Sequence, residues 1–277
     1  MTIIQAAILG LVQGLAEFLP VSSSGHLILA RAVMGITDEA ASTGAFMMLD
    51  VLLHAGTLLA VLVVFWKDWW NILKNPFRSK TLLLLFIASI PALIVAVLFD
   101  DILEQFFTGW FLGVSFLVTA VFLLLAEAAG NRRKTKSEPG FVNAIAMGLM
   151  QAVALLPGVS RSGSTLTGGL FSGLDRKGAA KFAFMMSAPA IVGSLLFEGK
   201  DAIELGYLAQ LELVPTIVGM VVAAVSGYLA IRFMLRLIQR TTLGWFALYC
   251  ALLGLVILVL QLTGCPALPA FQMPALG

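Results

Sequence analysis

Two apolar segments, residues 3–36 and 141–174, carry nearly the same interrupted pattern at a constant offset of 138 positions. Gly10 falls on Gly148, Leu11 on Leu149, Gln13 on Gln151, Val21 on Val159, Ser22 on Ser160, Ser24 on Ser162 and Gly25 on Gly163. Each segment is broken midway by a helix-stopping cluster. The first reads Pro20-Val21-Ser22-Ser23-Ser24-Gly25, the second Pro157-Gly158-Val159-Ser160-Arg161-Ser162-Gly163. Neither half of either segment can cross a hydrocarbon core of ~30 Å, which takes ~20 helical residues. Irregular backbone at that depth is tolerated only inside protein or beside a polar cavity. Both segments therefore read as re-entrant helix hairpins with the clusters at their tips.

The rest of the chain supplies a membrane setting for them. Of 277 residues, 60% are hydrophobic and 12% charged, and the mean hydropathy is +1.00. A soluble domain needs about a quarter of its residues charged, so soluble enzymes and nucleic-acid binders are excluded together. Full spans are expected at about 47–66, 81–99, 109–128, 182–198, 213–235 and 243–263. Each repeat then holds one hairpin and three spans, and an odd number of crossings turns the second copy upside down. The expected fold is an all-α polytopic integral membrane protein with inverted-topology repeats. Repeat one covers about 1–130 and repeat two about 139–263 of a single membrane domain, with the Pro- and Ala-rich tail 264–277 assigned no role.

Charge gives the orientation independently of the repeat. Fourteen of the 17 Lys and Arg residues fall in four stretches, 67–80, 132–136, 176–181 and 232–240, while the alternate loops hold Asp100, Asp101, Glu104, Asp201, Glu204 and Glu212. The positive-inside rule places the basic stretches in the cytoplasm and both termini outside. Trp66, Trp69 and Trp70 mark an interface, and Glu127 is expected to be solvated beside a basic loop. The start of the chain lacks a basic region and a cleavage site, so no cleaved signal is expected. Cys250 and Cys265 are too few for a disulfide framework or a zinc site.

Ionisable groups within hydrocarbon cost ~2.5–3.5 kcal/mol on insertion scales and are retained mainly for a pathway or a site. Glu17, His26, His54 and Arg161 are such groups. Glu17 lies one turn after Gln13, so both face the same way, either as a buried polar pair or as a carboxylate aimed at the tip to hold a cation or proton. Ser22, Ser23 and Ser24 open a half-helix, where serines serve as N-caps or as part of an anion site, and His26 follows Ser23 by three. In the second tip Arg161 stands where the first has Ser23, and Leu155 where it has Glu17. A guanidinium among Ser160, Ser162, Ser164 and Thr165 suits a phosphate, because its fork matches two oxygens at once; a structural ion pair with Glu17 is the alternative. Asp50 and His54, one turn apart, flank a cavity mouth or merely pack.

The stretch from Gln13 to His26 and the stretch from Pro157 to Thr165 closely resemble the two signature motifs of the undecaprenyl-diphosphatase family, also called bacitracin resistance proteins. The likeness runs from about residue 3 to 263. The family's first motif opens on Glu or Gln, and here Gln13 leaves Glu17 as the one certain carboxylate. The resemblance implies hydrolysis of undecaprenyl diphosphate to the monophosphate, a phosphoric anhydride hydrolysis that recycles the lipid carrier of cell-wall synthesis at the outer face of the bacterial inner membrane. The implied partners are the long-chain lipid and the bilayer, with no nucleic acid. On that basis Arg161, Ser160, Ser162 and Thr165 clamp the diphosphate, with Ser22 and Ser24 beside them, and Glu17 with Gln13 holds Mg²⁺ or Ca²⁺. Ser23 attacks with His26 as base and then acid, or a water activated by Glu17 or His26 attacks in its place. A polyprenyl-phosphate flippase using the same midplane site, or an ion-coupled channel, are the rival functions, since broken inverted repeats are frequent in carriers.

Overall fold

The computed structural model describes residues 1–36, 44–130, 136–204, 212–266 and 268–271; Arg132, Arg133, Lys134 and the end of the tail lie outside them. The first hairpin is α1 (Ile3–Phe18) and α2 (Ser23–Val33). It is followed by α3 (Gly44–Val64), α4 (Trp66–Lys74), a 3-10 turn at Pro76–Arg78, α5 (Lys80–Leu98), α6 (Asp100–Phe107) and α7 (Leu112–Gly130). The second hairpin is α8 (Phe141–Val153) and α9 (Arg161–Phe171), followed by α10 (Arg176–Glu204), α11 (Leu213–Leu237) and α12 (Gly244–Leu262). The chain is an all-α polytopic membrane protein, and the half-helices are short as expected: 16 residues in α1 and 13 in α8 reach only ~24 and ~20 Å. Among the described residues five helices are long and apolar enough to cross a membrane, or six if α3 with α4 counts as one bent span.

The two tips are built alike. Pro20 and Pro157 each stand just past the end of a half-helix, and Ser22 and Ser160 then cap the next one, accepting from Gly25 N at 3.2 Å and from Gly163 N at 3.1 Å. The sharp turn is taken differently. Gly158 carries a φ of 88° in the second tip, whereas Ser22 itself sits at 72° in the first, a conformation that costs a non-glycine residue on the order of 1 kcal/mol or more.

Packing follows the repeat. α1 lies on α11, and α8 lies on α5, so each opening half-helix rests on the middle span of the other repeat. The equivalent spans α3 and α10 pack together, as do α7 and α12. Glycines make the half-helix crossings possible. A Cβ on Gly10 would come 2.2 Å from Gly219 O, and one on Gly148, its repeat mate, 2.5 Å from Ala88 O. Gly10→Val is therefore expected to separate α1 from α11 and lower stability by about 1–3 kcal/mol, visible as a lower Tm in detergent. Outward faces of the spans stay apolar, as on α5, where Leu83, Phe86, Leu93, Ile94 and Val97 are exposed to the lipid expected there.

The basic stretches gather at one end. Lys181 reaches Asp68 at 2.6 Å, Arg176 reaches Glu127 at 2.7 Å and Thr241 O at 3.0 Å, and Lys136 pairs its backbone with Gly173 and Asp175. At another end the N-terminal amine pairs with Glu212 at 2.8 Å, and Gln261 donates to Gly109, Trp110 and Pro269 carbonyls.

Several boundaries differ from the hydropathy reading. α10 begins at Arg176 and runs to Glu204, beyond 182–198 at both ends, because its first turns are charged but paired. α4 leaves the axis of α3 by 79°, so Trp66 and Trp70 ride on an amphipathic helix rather than on the end of a straight span. Glu127 is not freely solvated: besides Arg176 it accepts from Leu243 N at 2.8 Å, joining α7, α10 and the turn before α12. The tail also has a place among the described residues, with Leu268 buried in the apolar cluster that includes Leu112 and Phe116.

Candidate active site

The C-terminal end of α1 and the N-terminal ends of α2 and α9 meet at one point. Glu17, on the last turn of α1, is buried with its side chain 3% exposed. Its Oε1 is paired with the Arg161 guanidinium at the start of α9, across 144 positions of sequence. Its Oε2 accepts from Ser23 Oγ at 2.6 Å and from Gln13 Nε2 at 3.1 Å. The i, i+4 spacing of Gln13 and Glu17 thus does place both on one face. Arg161 also donates to Ser187 O of α10 at 3.4 Å.

The tips are tied to each other reciprocally. Ser24 Oγ accepts from Gly158 N at 3.2 Å, and its repeat mate Ser162 Oγ donates to Leu19 O at 2.9 Å. Within each tip the flanking hydroxyls also meet, Ser22 with Ser24 at 3.4 Å and Ser160 with Ser162 at 3.2 Å. Thr119 of α7 braces the second tip from behind, accepting from Ser160 N at 3.0 Å. Thr165 Oγ1 turns back onto Arg161 O at 2.8 Å and Ser162 O at 3.3 Å, and the residue is buried.

The expected pairing of His26 with Ser23 is not what the structure shows. The imidazole Nδ1 lies 2.6 Å from Ser22 O, and Nε2 lies 2.7 Å from the Tyr249 hydroxyl of α12. The ring stacks on Tyr249 and stands edge-on to Phe116. Three residues along a helix put His26 beside Ser23, but the side chain leaves that face toward α12, and the Ser23 hydroxyl turns back across the break to Glu17. His54 has moved the other way in importance. It sits on α3 with Nε2 3.9 Å from Glu17 Oε2, while Asp50 one turn earlier is paired with Arg31 of α2. Tyr249, Thr119 and Ser187 escaped the sequence reading because they lie on full spans whose polar residues have ordinary packing roles.

A carboxylate, a hydroxyl in short contact with it and a guanidinium converge at two serine-rich half-helix ends, the groups that phosphate-ester or anhydride chemistry draws on. Comparison with known proteins narrows this. The family model of the bacitracin resistance protein BacA matches residues 6–256, which include both tips and every residue named above from Gln13 to Tyr249. The chain belongs to the bacitracin resistance protein BacA family. The undecaprenyl-diphosphatase of Carboxydothermus hydrogenoformans is 41% identical over 262 residues, covering 94% of this chain and 98% of that protein. That of Halothermothrix orenii is 41% identical over 264 residues with the same coverage, and undecaprenyl-diphosphatase 4 of Bacillus cereus is 42% identical over 261. In this BacA-family chain the similarity therefore takes in the whole membrane unit, hairpins and spans alike, rather than the motifs alone.

Proposed function

We propose that the chain hydrolyses undecaprenyl diphosphate to undecaprenyl phosphate and inorganic phosphate. The observation that carries the chemistry is the short Ser23–Glu17 hydrogen bond beside Arg161. Arg161 and Glu17 neutralise each other across the two tips. An incoming diphosphate takes over the guanidinium as a two-oxygen ligand, with Ser160, Ser162 and Thr165 around it and the backbone N–H groups at the start of α9 completing the cradle. Ser22 and Ser24 shape the facing tip. Glu17, freed from Arg161, then serves as base.

Ser23 Oγ attacks the terminal phosphorus. An Oγ–P bond forms, the bond from phosphorus to the bridging oxygen breaks, undecaprenyl phosphate departs, and the hydroxyl proton passes to Glu17. Water then attacks the phosphoserine phosphorus, and Ser23 Oγ leaves with the proton returned from Glu17. This reading moves the base from His26 to Glu17. His26 anchors the first tip between Ser22 and Tyr249. A water attacking in place of Ser23 would still use Glu17 as its base.

A divalent ion, Mg²⁺ or Ca²⁺, suits the same corner. Gln13 Oε1 is buried and without a hydrogen-bond partner, on the side chain whose Nε2 donates to Glu17 Oε2, the oxygen that also accepts from Ser23; carboxylate, amide and hydroxyl oxygens are the donors a hard cation prefers. Gln13, Glu17 and Ser23 would hold it, and when bound it would neutralise charge on the phosphate oxygens.

The charge distribution supports an outward-facing site and outward termini in the bacterial inner membrane, with Asp50 and His54 at the mouth, and repeats of about 1–130 and 139–263 acting as one unit. A carrier would need the Arg161 clamp but has no use for a serine hydrogen-bonded to a carboxylate. The purified protein is expected to release phosphate from a long-chain polyprenyl diphosphate, and Ser23→Ala to reduce that release about 10²–10⁴-fold, the range general-base assistance supplies. A phosphoserine trapped at Ser23 by rapid quench supports the covalent route. Full activity in Ser23→Ala assigns the attack to water, and phosphate release absent from the wild type rejects the hydrolase.

A further inference from the structure

Helix α4 takes no part in the chemistry of the tips, and its sides are unlike one another. It leaves the axis of α3 by 79°, so it runs close to the plane of the bilayer that the spans cross. One side packs inward: Ile72 is buried, and Asp68 is paired with Lys181 of α10 at 2.6 Å. A second side carries Trp66, Trp70 and Leu73, spaced at i, i+4 and i+7 and all exposed, with Phe77 fully exposed in the 3-10 turn beyond. Lys67 and Lys74, two turns apart, share the flank next to this apolar side. Each lays its ammonium over an indole, Lys67 Nζ 5.7 Å from the Trp66 ring and Lys74 Nζ 5.5 Å from that of Trp70. The helix, the turn after it and the start of α5 border an open cavity of about 470 Å³ lined by Asp68, Asn71, Asn75, Arg78, Ser79 and Thr81.

We propose that α4 and the turn after it bind an anionic phospholipid of the surrounding leaflet, with the apolar side seated among its chains and the headgroup in the cavity beside Arg78. Charge decides the occupant. Asp68 is the one acid between positions 66 and 81, and Lys181 already neutralises it. Among the described residues Lys67, Lys74, Arg78 and Lys80 pair with no carboxylate. Four cations without counter-charge beside an apolar face are the pattern of an interfacial helix drawn to negative headgroups. The cavity favours a hydroxylated headgroup, as in phosphatidylglycerol. Arg78 offers its fork to the phosphate, while Asn71, Asn75, Ser79 and Thr81 offer amide and hydroxyl partners to the glycerol. A choline headgroup has no hydrogen-bonding group to meet them and would bring a fifth cation to the four. None of these residues takes part in phosphoryl transfer, so the proposal stands apart from the hydrolase reading.

Of the chain's 5 tryptophans, Trp66, Trp69 and Trp70 lie on α4, so in a background of Trp110→Phe and Trp245→Phe the fluorescence reports this helix alone. The protein is reconstituted in phosphatidylcholine vesicles at low salt, with a rising fraction of either brominated phosphatidylglycerol or brominated phosphatidylcholine. Quenching by the phosphatidylglycerol is expected at a lipid fraction at least about fivefold lower, the factor that one basic residue near an anionic surface contributes. Added salt should shrink the difference. Lys67→Gln combined with Lys74→Gln and Arg78→Gln should abolish the preference and leave quenching by phosphatidylcholine in place, whereas Lys200→Gln, a cation on α10, should keep it. Equal quenching by the two lipids before any charge is removed makes α4 an interfacial helix without headgroup choice and overturns the proposal. A preference that survives the triple substitution overturns it as well. The comparison of the two lipids uses one protein, so it does not depend on the charge variants folding.

Discussion

Glutamine in place of Glu17 is expected to lower kcat for phosphate release about 10³-fold, within the range that loss of a positioned base produces, while leaving the affinity for the lipid diphosphate unchanged or tighter. The split follows from the ion pair. The Glu17 carboxylate is paired with the Arg161 guanidinium, and on the proposed mechanism a diphosphate displaces it to bind. Glutamine keeps the shape and the bond to Gln13 but gives up the charge, so Arg161 becomes more available to phosphate while Ser23 loses its proton acceptor. Steady-state kinetics together with direct binding of a non-hydrolysable diphosphate analogue checks this. A Glu17→Gln protein that binds the analogue much more weakly than the wild type would mean that the carboxylate helps to bind the diphosphate rather than competing for the guanidinium.

Arg161→Ala should show the opposite signature. On the proposed mechanism Arg161 binds the diphosphate and balances charge as the bridging oxygen departs, so kcat/KM is expected to fall at least 10²–10³-fold, as for loss of an oriented transition-state donor. Binding of the analogue should fall with it. The side chain is about one-fifth exposed and its partner Glu17 almost wholly buried, so the variant leaves a carboxylate without its counter-charge. Breaking a buried pair on one side costs about 3–5 kcal/mol, and the Tm of Arg161→Ala should drop accordingly. The double variant Glu17→Gln with Arg161→Ala should recover much of that stability and none of the activity. Arg161→Lys separates charge from geometry: it retains a cation but not the planar fork, and is expected to restore stability better than rate.

How much of this was legible in the residues differs from part to part. The meeting of Glu17 and Arg161 agrees with the expectation drawn from the 138-residue offset, that two copies of one broken segment bring together tips whose residues here carry opposite charge. The convergence of Ser24 and Ser162 on the opposing tips has the same origin. Partner choice within the tips was not legible. His26 and Ser23 are neighbours on a helix surface, but one hydroxyl rotation and one ring rotation decide that Ser23 meets Glu17 across the Pro20 break and His26 meets Tyr249 on a distant span. The nearness of His54 to Glu17 depends on how α3 lies against the first hairpin, a tertiary fact that no local pattern on 44–64 encodes. Hydropathy failed where charges are neutralised by neighbours, as at the start of α10, since Arg176 and Lys181 read as loop until Glu127 and Asp68 are seen beside them.

The reciprocal bonds between tips, Ser24 to the Gly158 amide and Ser162 to the Leu19 carbonyl, also limit how this protein can vary. Each hairpin is finished by hydrogen bonds that only the opposing one offers, and each rests on a helix belonging to the other half. Neither half owns the reaction centre. A change in either seam is transmitted to both sides of the chemistry, so the two copies, although free to carry different charges at their apices, are held to a common shape.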